Sequence, residues 1–457
     1  MKNPLFSVYE KLPIAVQNLA ISLYGAGLYH QRYGKYYKEE LVYLAQLNYS
    51  DVKQMKSLQD KRFLSFFKYA VCNSPFYKKM YKEIDVTEIK SIEDIKKLPI
   101  LEKECLRKNI QQVYTISKKQ AIISHTGGTT GKSLEVRYTS RDMQERMAYL
   151  HFWEQTHGIR QGERRASFNG RQFISRAQGK KNFWRYNYFR KQMLYSTFNM
   201  TDENLPYYIQ SLNKFKPIVI NGFVSAIFEI SNYINNNNIT LAFKPKVIFT
   251  TSETLLPYQR KAMEKAFGCP VRDQYASSEG APMITECRCG KLHYNLYTGV
   301  IEEYQTEYGT EMLVTGFNTH GTPLIRYRIG DMWELSNDTC ECGCCFPVVK
   351  RIEGRKVDYL LSKQYGKVSL SHLADVIKGL PNSIVNMQFI QREISKIEVK
   401  IIVDKNNFTQ EDQEKIKQEL IYRFGTDMQF DIQVVDEIPK EKSGKYSLIK
   451  NEIQGKG

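Results

Sequence analysis

The sequence lacks a long apolar run, so no helix of about 20 apolar residues that could cross a membrane is predicted. Residues 1–11 lack an apolar core followed by a small-residue cleavage site, so no secretory signal is predicted and a cytoplasmic location is expected. An RNA-binding signature is missing too, as is any Lys/Arg stripe interleaved with aromatic residues. These absences exclude an integral membrane protein and argue against a nucleic-acid partner.

Acidic residues are fewer than basic ones, 49 against 66, which gives a formal net charge of +17. The lysines are scattered and many stand close to Glu or Asp, which is typical of a solvated surface. Anionic metabolites and a peripheral contact with membrane-associated machinery stay open as explanations of the charge. With 457 residues, 42% of them hydrophobic, the chain is long enough for a large domain plus a smaller one.

Cysteine is sparse outside two short segments. Six of the nine cysteines lie in 287–289 and 340–345, whereas Cys72, Cys105 and Cys269 are isolated. A reducing compartment argues against structural disulfides and in favour of a metal site built from the two clusters.

One short segment, 125–133, combines glycines, hydroxyl residues and a lysine directly after the apolar residues 121–123. Glycines let backbone N–H groups turn toward a common point, while the hydroxyls and Lys132 add donors and charge. Such a loop suits polyphosphate binding, although a surface turn is the simpler alternative. It is a near miss for a Walker A motif, because Thr126 stands where that motif requires its first glycine.

The middle of the chain alternates strand-like and helix-like segments. Short β-branched runs at 217–220 and 246–250 are each followed by a turn and a helix-like stretch, at 225–234 and 257–267. Such units predict an α/β fold with a mostly parallel sheet and with ligands at the strand ends. The preceding part is predicted to be helical at 57–70, at 92–98 and, after a Ser/Asp cap, at 140–152.

From about residue 301 the pattern becomes β-rich, with strands predicted at 312–315 and 324–327. Past residue 354 it changes to that of a compact α+β unit of about 100 residues. The elements predicted there are a helix at 368–377, strands at 387–391 and 397–403, a helix at 410–424 and a strand at 430–435. We therefore divide the chain into an N-terminal domain, 1–353, and a C-terminal domain, 354–457.

Four further motifs follow the glycine loop, at 275–280, 326–331, 351–355 and 439–445. In this order, over roughly residues 60–450, they resemble the adenylate-forming (acyl-CoA synthetase) superfamily, and more closely its phenylacetate–CoA ligase-like family. Segments 217–225 and 364–369 are most similar to the branch associated with capsular-polysaccharide biosynthesis. The resemblance implies a large N-terminal domain that binds ATP and the acid, with mostly parallel sheets, and a small mobile α+β C-terminal lid.

The resemblance also implies the nucleotide contacts. The β- and γ-phosphates of ATP would be bound by Thr126, Gly127, Gly128, Thr129, Thr130, Gly131 and Lys132. Tyr275 would stack near the adenine, Asp331 would accept hydrogen bonds from the ribose, and Ser278 would approach the phosphates or the carboxylate. The remaining implied ATP/AMP contacts are Ser252, Glu253, Arg351 and Arg355.

The implied reaction is attack of a carboxylate on the α-phosphate, which gathers negative charge on phosphorus and on the leaving pyrophosphate. A carboxylate is already ionised near neutral pH, so the site needs cations and donors rather than a base. The resemblance implies three catalytic residues: Thr129 in the phosphate loop, Glu279 as a Mg²⁺ ligand and Lys445 beside the α-phosphate. Because Lys445 lies on the small domain, closure for adenylation and rotation for the next step are expected.

The acid and the acyl acceptor are less closely defined. The pocket for a small carboxylic acid is expected to include Asn221, Gly222, Phe223, Ser277 and His151. The acceptor stays open between CoA, a carrier thiol, an amine and a sugar hydroxyl, because Val357 replaces the hinge acid of many family members. An aryl-acid CoA ligase and a catalytically silent scaffold for polysaccharide assembly are the alternative functions.

The cysteine clusters resemble the structural zinc site of many family members. The candidate ligands are Cys287, Cys289, His293, Cys340 and Cys342, because thiolate and imidazole groups suit tetrahedral Zn²⁺. Four of them, without Cys289, form the favoured set, with Cys289 or Cys345 as substitutes. Such a zinc would hold two loops together near the active site and take no part in the reaction.

Overall fold

The computed structural model describes residues 4–125, 134–170, 173–174, 181–306, 309–353, 359–369, 373, 383–403, 405, 408–438 and 448–453. Its first part is helical, with α1 (Pro4–Lys11), α2 (Ile14–Arg32), α3 (Lys35–Gln46), α4 (Val52–Asn73), α5 (Pro75–Met80) and α6 (Lys103–Val113). The predicted helix at 57–70 lies within α4 and is confirmed. The one predicted at 92–98 is a short 3₁₀ helix, Ile92–Lys97, instead of an α-helix.

Two short strands flank the predicted phosphate loop. The antiparallel pair β1 (Ile122–His125) and β2 (Glu135–Tyr138) leads into and out of residues 126–133, which lie outside the described part of the chain. Helix α7 (Ser140–Thr156) follows at once. Its cap is Thr139, whose hydroxyl accepts from the N–H of Asp142 while the Asp142 carboxylate accepts from Thr139.

A six-stranded sheet confirms the predicted parallel arrangement. Its order is β4-β5-β3-β6-β7-β8, and only the edge strand β4 is antiparallel to its neighbour. The strands are β3 (Arg165–Asn169), β4 (Trp184–Asn187), β5 (Gln192–Ser196), β6 (Val219–Phe223), β7 (Val247–Thr251) and β8 (Val271–Arg272). The connecting helices are α8 (Leu205–Phe215), α9 (Val224–Asn236) and α10 (Pro257–Phe267). Their apolar faces share one buried core with the sheet, and α7 covers its other face.

A second sheet is antiparallel throughout, so the expectation of mostly parallel sheets is wrong for this part of the domain. Its order is β12-β13-β14-β15-β11-β10-β9. The strands are β9 (Gln274–Tyr275), β10 (Ile284–Glu286), β11 (Leu292–Tyr294), β12 (Gly299–Thr306), β13 (Gly309–Gly316), β14 (Tyr327–Leu335) and β15 (Val348–Glu353). Consecutive strands here are joined by turns, without the crossover helices that a parallel pair needs.

The strand predicted at 324–327 begins only at Tyr327. Arg326 has a left-handed backbone, with φ of 50°, and its guanidinium binds both carboxylate oxygens of Glu302 at 3.0 and 2.9 Å. This ion pair holds the chain in a turn before the strand starts.

The C-terminal part has its own sheet and its own core. The hairpin β16 (Tyr359–Ser362) and β17 (Gly366–Ser369) precedes a four-stranded sheet of order β20-β19-β18-β21. The sheet strands are β18 (Ile384–Glu393), β19 (Lys396–Val403), β20 (Gln429–Val434) and β21 (Ile449–Asn451), and α11 (Gln410–Phe424) packs on them. The helix predicted from 368 is wrong at its start, where Val368 pairs with Leu360 in the hairpin. The proposed boundary at 353/354 adjoins residues 354–358, which lie outside the description.

Candidate active site

The loop that carries Ser278 and Glu279 is held tightly by its neighbours. The buried Tyr138 hydroxyl donates to the Ser278 carbonyl at 2.7 Å. Gly280 has φ of +85°, and a Cβ there would lie 2.3 Å from Thr319 Cγ2. A Cβ at Gly316 would lie 2.0 Å from the Gly280 carbonyl oxygen. Only glycine fits either position, so the loop is fixed against the end of β13.

The structure brings the predicted adenine and ribose residues together. Tyr275 Oη donates to Asp331 Oδ2 at 2.7 Å, and both side chains are partly exposed. Gly330, with φ of +85°, turns the chain just before Asp331. The arginines of the same motif are engaged elsewhere, since Arg328 pairs with Glu311 at 2.7 Å. Among the charged residues of the described 326–331 motif, Asp331 is therefore the one whose side chain contacts Tyr275.

Ser252 and Glu253 follow the carboxyl end of β7, but their side chains differ in role. Both Glu253 carboxylate oxygens accept from Ser225, one from its N–H at 2.6 Å and one from its hydroxyl at 3.0 Å. The carboxylate therefore caps the first turn of α9. Ser252 has φ of 69°, which is rare for a residue with a side chain and is concentrated at functional sites. Their adenine contacts stay a prediction.

The segment Asn221, Gly222 and Phe223 ends β6 beside the end of β7. Asn221 Oδ1 accepts from the Ser167 hydroxyl at 2.7 Å, and that hydroxyl in turn accepts from Gln192 Nε2 at 2.7 Å. A Cβ at Gly222 would lie 2.1 Å from the Phe168 carbonyl, so no side chain fits there. Ser277, also predicted to contact the acid, accepts instead from the N–H of Ala281 through its hydroxyl at 3.1 Å.

His151 lies on α7, away from the carboxyl ends of the strands. Its Nδ1 is 2.7 Å from the Tyr37 hydroxyl, and its ring stacks on Tyr33 with centroids 5.0 Å apart. Burial lowers the pKa of His151 to about 4, so the ring is neutral near pH 7. It lines an open cavity of about 350 Å³ together with Arg165 and Gln192, which begin β3 and β5. A contact with the acid stays a prediction.

The Cys/His cluster fits a tetrahedral metal. The thiols of Cys287 and Cys340 are 3.6 Å apart, Cys342 Sγ is 3.5 Å from His293 Nε2, and these four ligand atoms all lie within 4.8 Å of one another. Zn–S bonds of about 2.3 Å allow such spacing. His293 Nδ1 lies 3.0 Å from the Phe346 carbonyl, an arrangement that leaves Nε2 to bind metal.

Two matching turns form the cluster. Gly290 N–H donates to the Cys287 carbonyl at 3.0 Å, and Gly343 N–H donates to the Cys340 carbonyl at 3.2 Å. Both glycines have φ of +79°. Cys289, a predicted ligand, is exposed and falls outside the set of four. The four ligand atoms that converge are those of the favoured set, and their binding of zinc stays a prediction.

A buried network that sequence reasoning missed links the segment of this cluster to Asp273, two residues before Tyr275. Glu286 precedes Cys287 and is 1% exposed; Arg260 donates to both its oxygens at 2.9 and 2.8 Å. The Asp273 N–H also donates to Glu286, at 2.8 Å, and the Asp273 carboxylate accepts from Thr250. Burial raises the pKa of Asp273 to about 6. The available signal was an acidic residue directly before Cys287, one of the predicted zinc ligands.

The remaining predicted site residues are those of the phosphate loop, Arg351, Arg355, Lys445 and Glu279. The phosphate-loop residues 126–132, Arg355 and Lys445 lie outside the described part of the chain. Arg351 is exposed on β15, and its Nε lies 2.8 Å from the Glu334 carboxylate. Glu279 is partly exposed on the fixed loop.

The chain is similar to a Protein CapK from Staphylococcus aureus, with 40% identity over 98% of this chain and 99% of that protein. The chain belongs to the CapK family. The model of the CapK C-terminal domain also matches residues 360–452. A phenylacetate–coenzyme A ligase from Thermus thermophilus is 20% identical over 83% of the chain and 88% of its own length. These matches confirm the predicted family and place CapK among the relatives of the phenylacetate–CoA ligases.

The fold comparison agrees. A 2-hydroxyisobutyryl-CoA ligase, solved with 2-HIB-AMP and CoA, superposes with a TM-score of 0.56 over 88% of this chain and 91% of that one, at 14% identity. The chain therefore has the fold of the adenylate-forming ligases, with a large N-terminal and a small C-terminal part, as the motifs predicted. Among the described residues, no helix is both long and apolar enough to span a bilayer.

Proposed function

We propose that this protein is a cytoplasmic, ATP-dependent ligase that activates a small carboxylic acid as an acyl-adenylate and releases pyrophosphate. The observation that carries the proposal is the Tyr275–Asp331 hydrogen bond beside the fixed loop of Ser278 and Glu279. In the family's motif order these residues would bind adenine, ribose, phosphate and Mg²⁺. Their arrangement next to the carboxyl ends of β6 and β7 supports a nucleotide lying across those strand ends.

In the proposed first step, an oxygen of the acid attacks the α-phosphorus and the bond to the β-phosphate breaks. The charge that gathers there would be balanced by Lys445 from the small domain and by donors of the loop that contains Thr129. Glu279 would hold Mg²⁺, which supplies fixed positive charge to the phosphates when bound. No base is required, because the acid enters already ionised.

In the second step the acyl group would pass to a thiol, amine or hydroxyl with release of AMP. CoA, a carrier thiol and a sugar are the candidate acceptors, and we favour a role in cell-surface polysaccharide biosynthesis with a peripheral contact to its membrane-associated machinery. The similarity to a phenylacetate–coenzyme A ligase supports an aryl-acid CoA ligase as the second candidate.

The Cys287, His293, Cys340 and Cys342 cluster is proposed to hold structural Zn²⁺. A catalytic zinc usually keeps an open position with only three protein ligands, whereas four suitable ligand atoms converge here. The ion would join the 287–293 and 340–342 segments. Through Glu286 it would also support Asp273, two residues before Tyr275.

Pyrophosphate release, measured with Mg²⁺-ATP and a panel of aromatic, amino and hydroxy acids, tests the proposal. We expect release stimulated by one class of acid, reduced at least a hundredfold in Lys445→Ala and unchanged in the matched variant Lys442→Ala. A catalytically silent scaffold would release no pyrophosphate with any acid. Mass spectrometry of the products formed after CoA is added then distinguishes a thioester from other acyl products.

A further inference from the structure

Helix α2 turns its polar side toward the protein. Gln17 Oε1 accepts from the buried Arg185 at 2.6 Å, and Asn18 Oδ1 accepts from the Tyr186 N–H at 3.0 Å. One turn further along, the Ser22 hydroxyl accepts from the Tyr188 N–H at 2.9 Å. The contacts of α2 with β4 are thus built from hydrogen bonds, which reverses the usual arrangement of a surface helix.

The outward side of α2 is apolar. Val16, Leu19 and Leu23 are spaced at helical intervals and are 42%, 55% and 67% exposed. Tyr24 beside them is 62% exposed. No Asp, Glu, Lys or Arg occurs between Lys11 and Arg32. The stripe covers about half of α2, and a contiguous apolar surface of this kind is typical of an interaction site.

The turn between β4 and β5 extends this surface. Tyr188 and Phe189 at its tip are 60% and 49% exposed. The Ser22 hydrogen bond holds this tip against α2, and the Phe189 ring packs on Tyr29 with centroids 5.0 Å apart. Aromatic rings at the edge of an apolar stripe are typical of groups that sit at the level of lipid headgroups.

Positive charge surrounds the stripe. Residues 1–38 contain five Lys or Arg and one acid, Glu10. Lys11 ends α1 shortly before α2 begins, Arg32 is the last residue of α2, and Lys191 follows the aromatic tip. An apolar stripe within a basic rim is complementary to an anionic bilayer, because the acyl region accepts the stripe and the headgroups attract the rim.

We propose that the outward face of α2, with the Tyr188–Phe189 tip, binds the surface of an anionic phospholipid bilayer. The helix lies along the interface, since its apolar residues occupy one side and the other side is hydrogen-bonded to β4. The test is separate from the adenylation chemistry, because Leu19 and Leu23 belong neither to the proposed nucleotide site nor to the lining of the cavity beside His151. Such binding would hold the protein at a membrane surface through the residues of one helix and one turn.

Vesicle co-sedimentation of the full-length chain tests this. We expect binding to equimolar phosphatidylglycerol/phosphatidylcholine vesicles, weak binding to phosphatidylcholine alone, and release by high salt. The double variant Leu19→Glu/Leu23→Glu should weaken binding roughly tenfold or more. The matched control Ile394→Glu/Val434→Glu changes two exposed apolar residues of the C-terminal part and should bind as the parent does.

A second measurement does not depend on whether the double variant Leu19→Glu/Leu23→Glu folds. Leu23→Trp adds a fluorophore on the stripe to the three native tryptophans, so its signal is the difference between the emission of the variant and that of the parent. Lipids brominated in the acyl chain should quench this added emission, and an unlabelled bilayer should shift it to the blue. Unquenched emission, or equal binding of parent and Leu19→Glu/Leu23→Glu, overturns the proposal. Light scattering tests whether a second copy of the chain is the partner instead. If the parent is a dimer, the double variant is a monomer and neither protein binds vesicles, the membrane proposal is overturned in favour of a second copy.

Discussion

Tyr275 and Asp331 share a 2.7 Å hydrogen bond although their strands, β9 and β14, are four positions apart in the seven-stranded sheet. In a flat sheet that separation is about 19 Å, which exceeds the reach of the two side chains. The sheet must therefore curl so that its third and last strands approach each other. Two motifs that are separated along the sequence come into contact through this curvature.

Removing the hydroxyl of this pair tests its role in nucleotide binding. Tyr275→Phe leaves the ring in place but no longer orients Asp331, so we expect KM for ATP to rise about five- to tenfold, which corresponds to roughly 1 kcal/mol. The maximal rate of pyrophosphate release should change less. Tyr258→Phe, which alters an exposed tyrosine on α10, is the control and should leave KM unchanged. An unaltered KM in Tyr275→Phe would show that the bond does not position the nucleotide site.

Substitution of Gly280 should disturb the loop that carries Glu279. Gly280→Ala adds a left-handed alanine and a clash with Thr319, so we expect a loss of about 2–4 kcal/mol in the free energy of unfolding, with activity nearly abolished. Gly162→Ala is matched, because Gly162 has φ of +83° and open space around it. Gly162→Ala should lower the free energy of unfolding only by the cost of a left-handed alanine backbone, about 1 kcal/mol. Equal losses in thermal melts of the two variants would contradict the packing argument.

Metal analysis can test the four-ligand set directly. We expect one zinc per chain by elemental mass spectrometry, lost in Cys340→Ser and His293→Ala and retained in Cys289→Ser. Chelation should lower the melting temperature, because the ion closes two separate turns. Activity measured after chelation should recover when zinc is restored. Retention of zinc by Cys340→Ser would rule out this ligand set.

Two buried histidines should make stability depend on pH. Burial lowers the pKa of His151 and of His157 to about 4, below the value of about 6.5 expected in the unfolded chain. The folded state thus binds fewer protons, so their stabilising effect is complete above pH 6.5 and is lost as the pH falls toward 4.

Denaturant titrations at pH 7 and pH 5 measure this effect. We expect the free energy of unfolding to drop on the order of 1–2 kcal/mol for His151 alone between these two values. His151→Gln should flatten the dependence, whereas His30→Gln, at an exposed position, should keep the parental slope. A slope that is the same in His151→Gln and in the parent would count against the buried neutral ring.

Local patterns predicted many elements well. The helices at 257–267 and 410–424 match their predicted bounds, because each has a Pro or Thr start signal and a glycine immediately after its last residue. The predictions failed where long-range contacts override local preference. Arg326 lies in a segment whose sequence is typical of a strand. Its ion pair with Glu302, a residue of β12, instead holds the backbone in a left-handed turn.

The sequence alone determined the family, the order of the motifs and the types of side chain available for nucleotide and zinc. Those features are local, since they depend on residue identity and spacing along the chain. Only the tertiary structure decided which partners meet: Asp331 with Tyr275, Glu253 with the start of α9, and Cys287, His293, Cys340 and Cys342 with one another. Sheet curvature and helix packing bring together residues that are distant in sequence, and no local pattern contains that information.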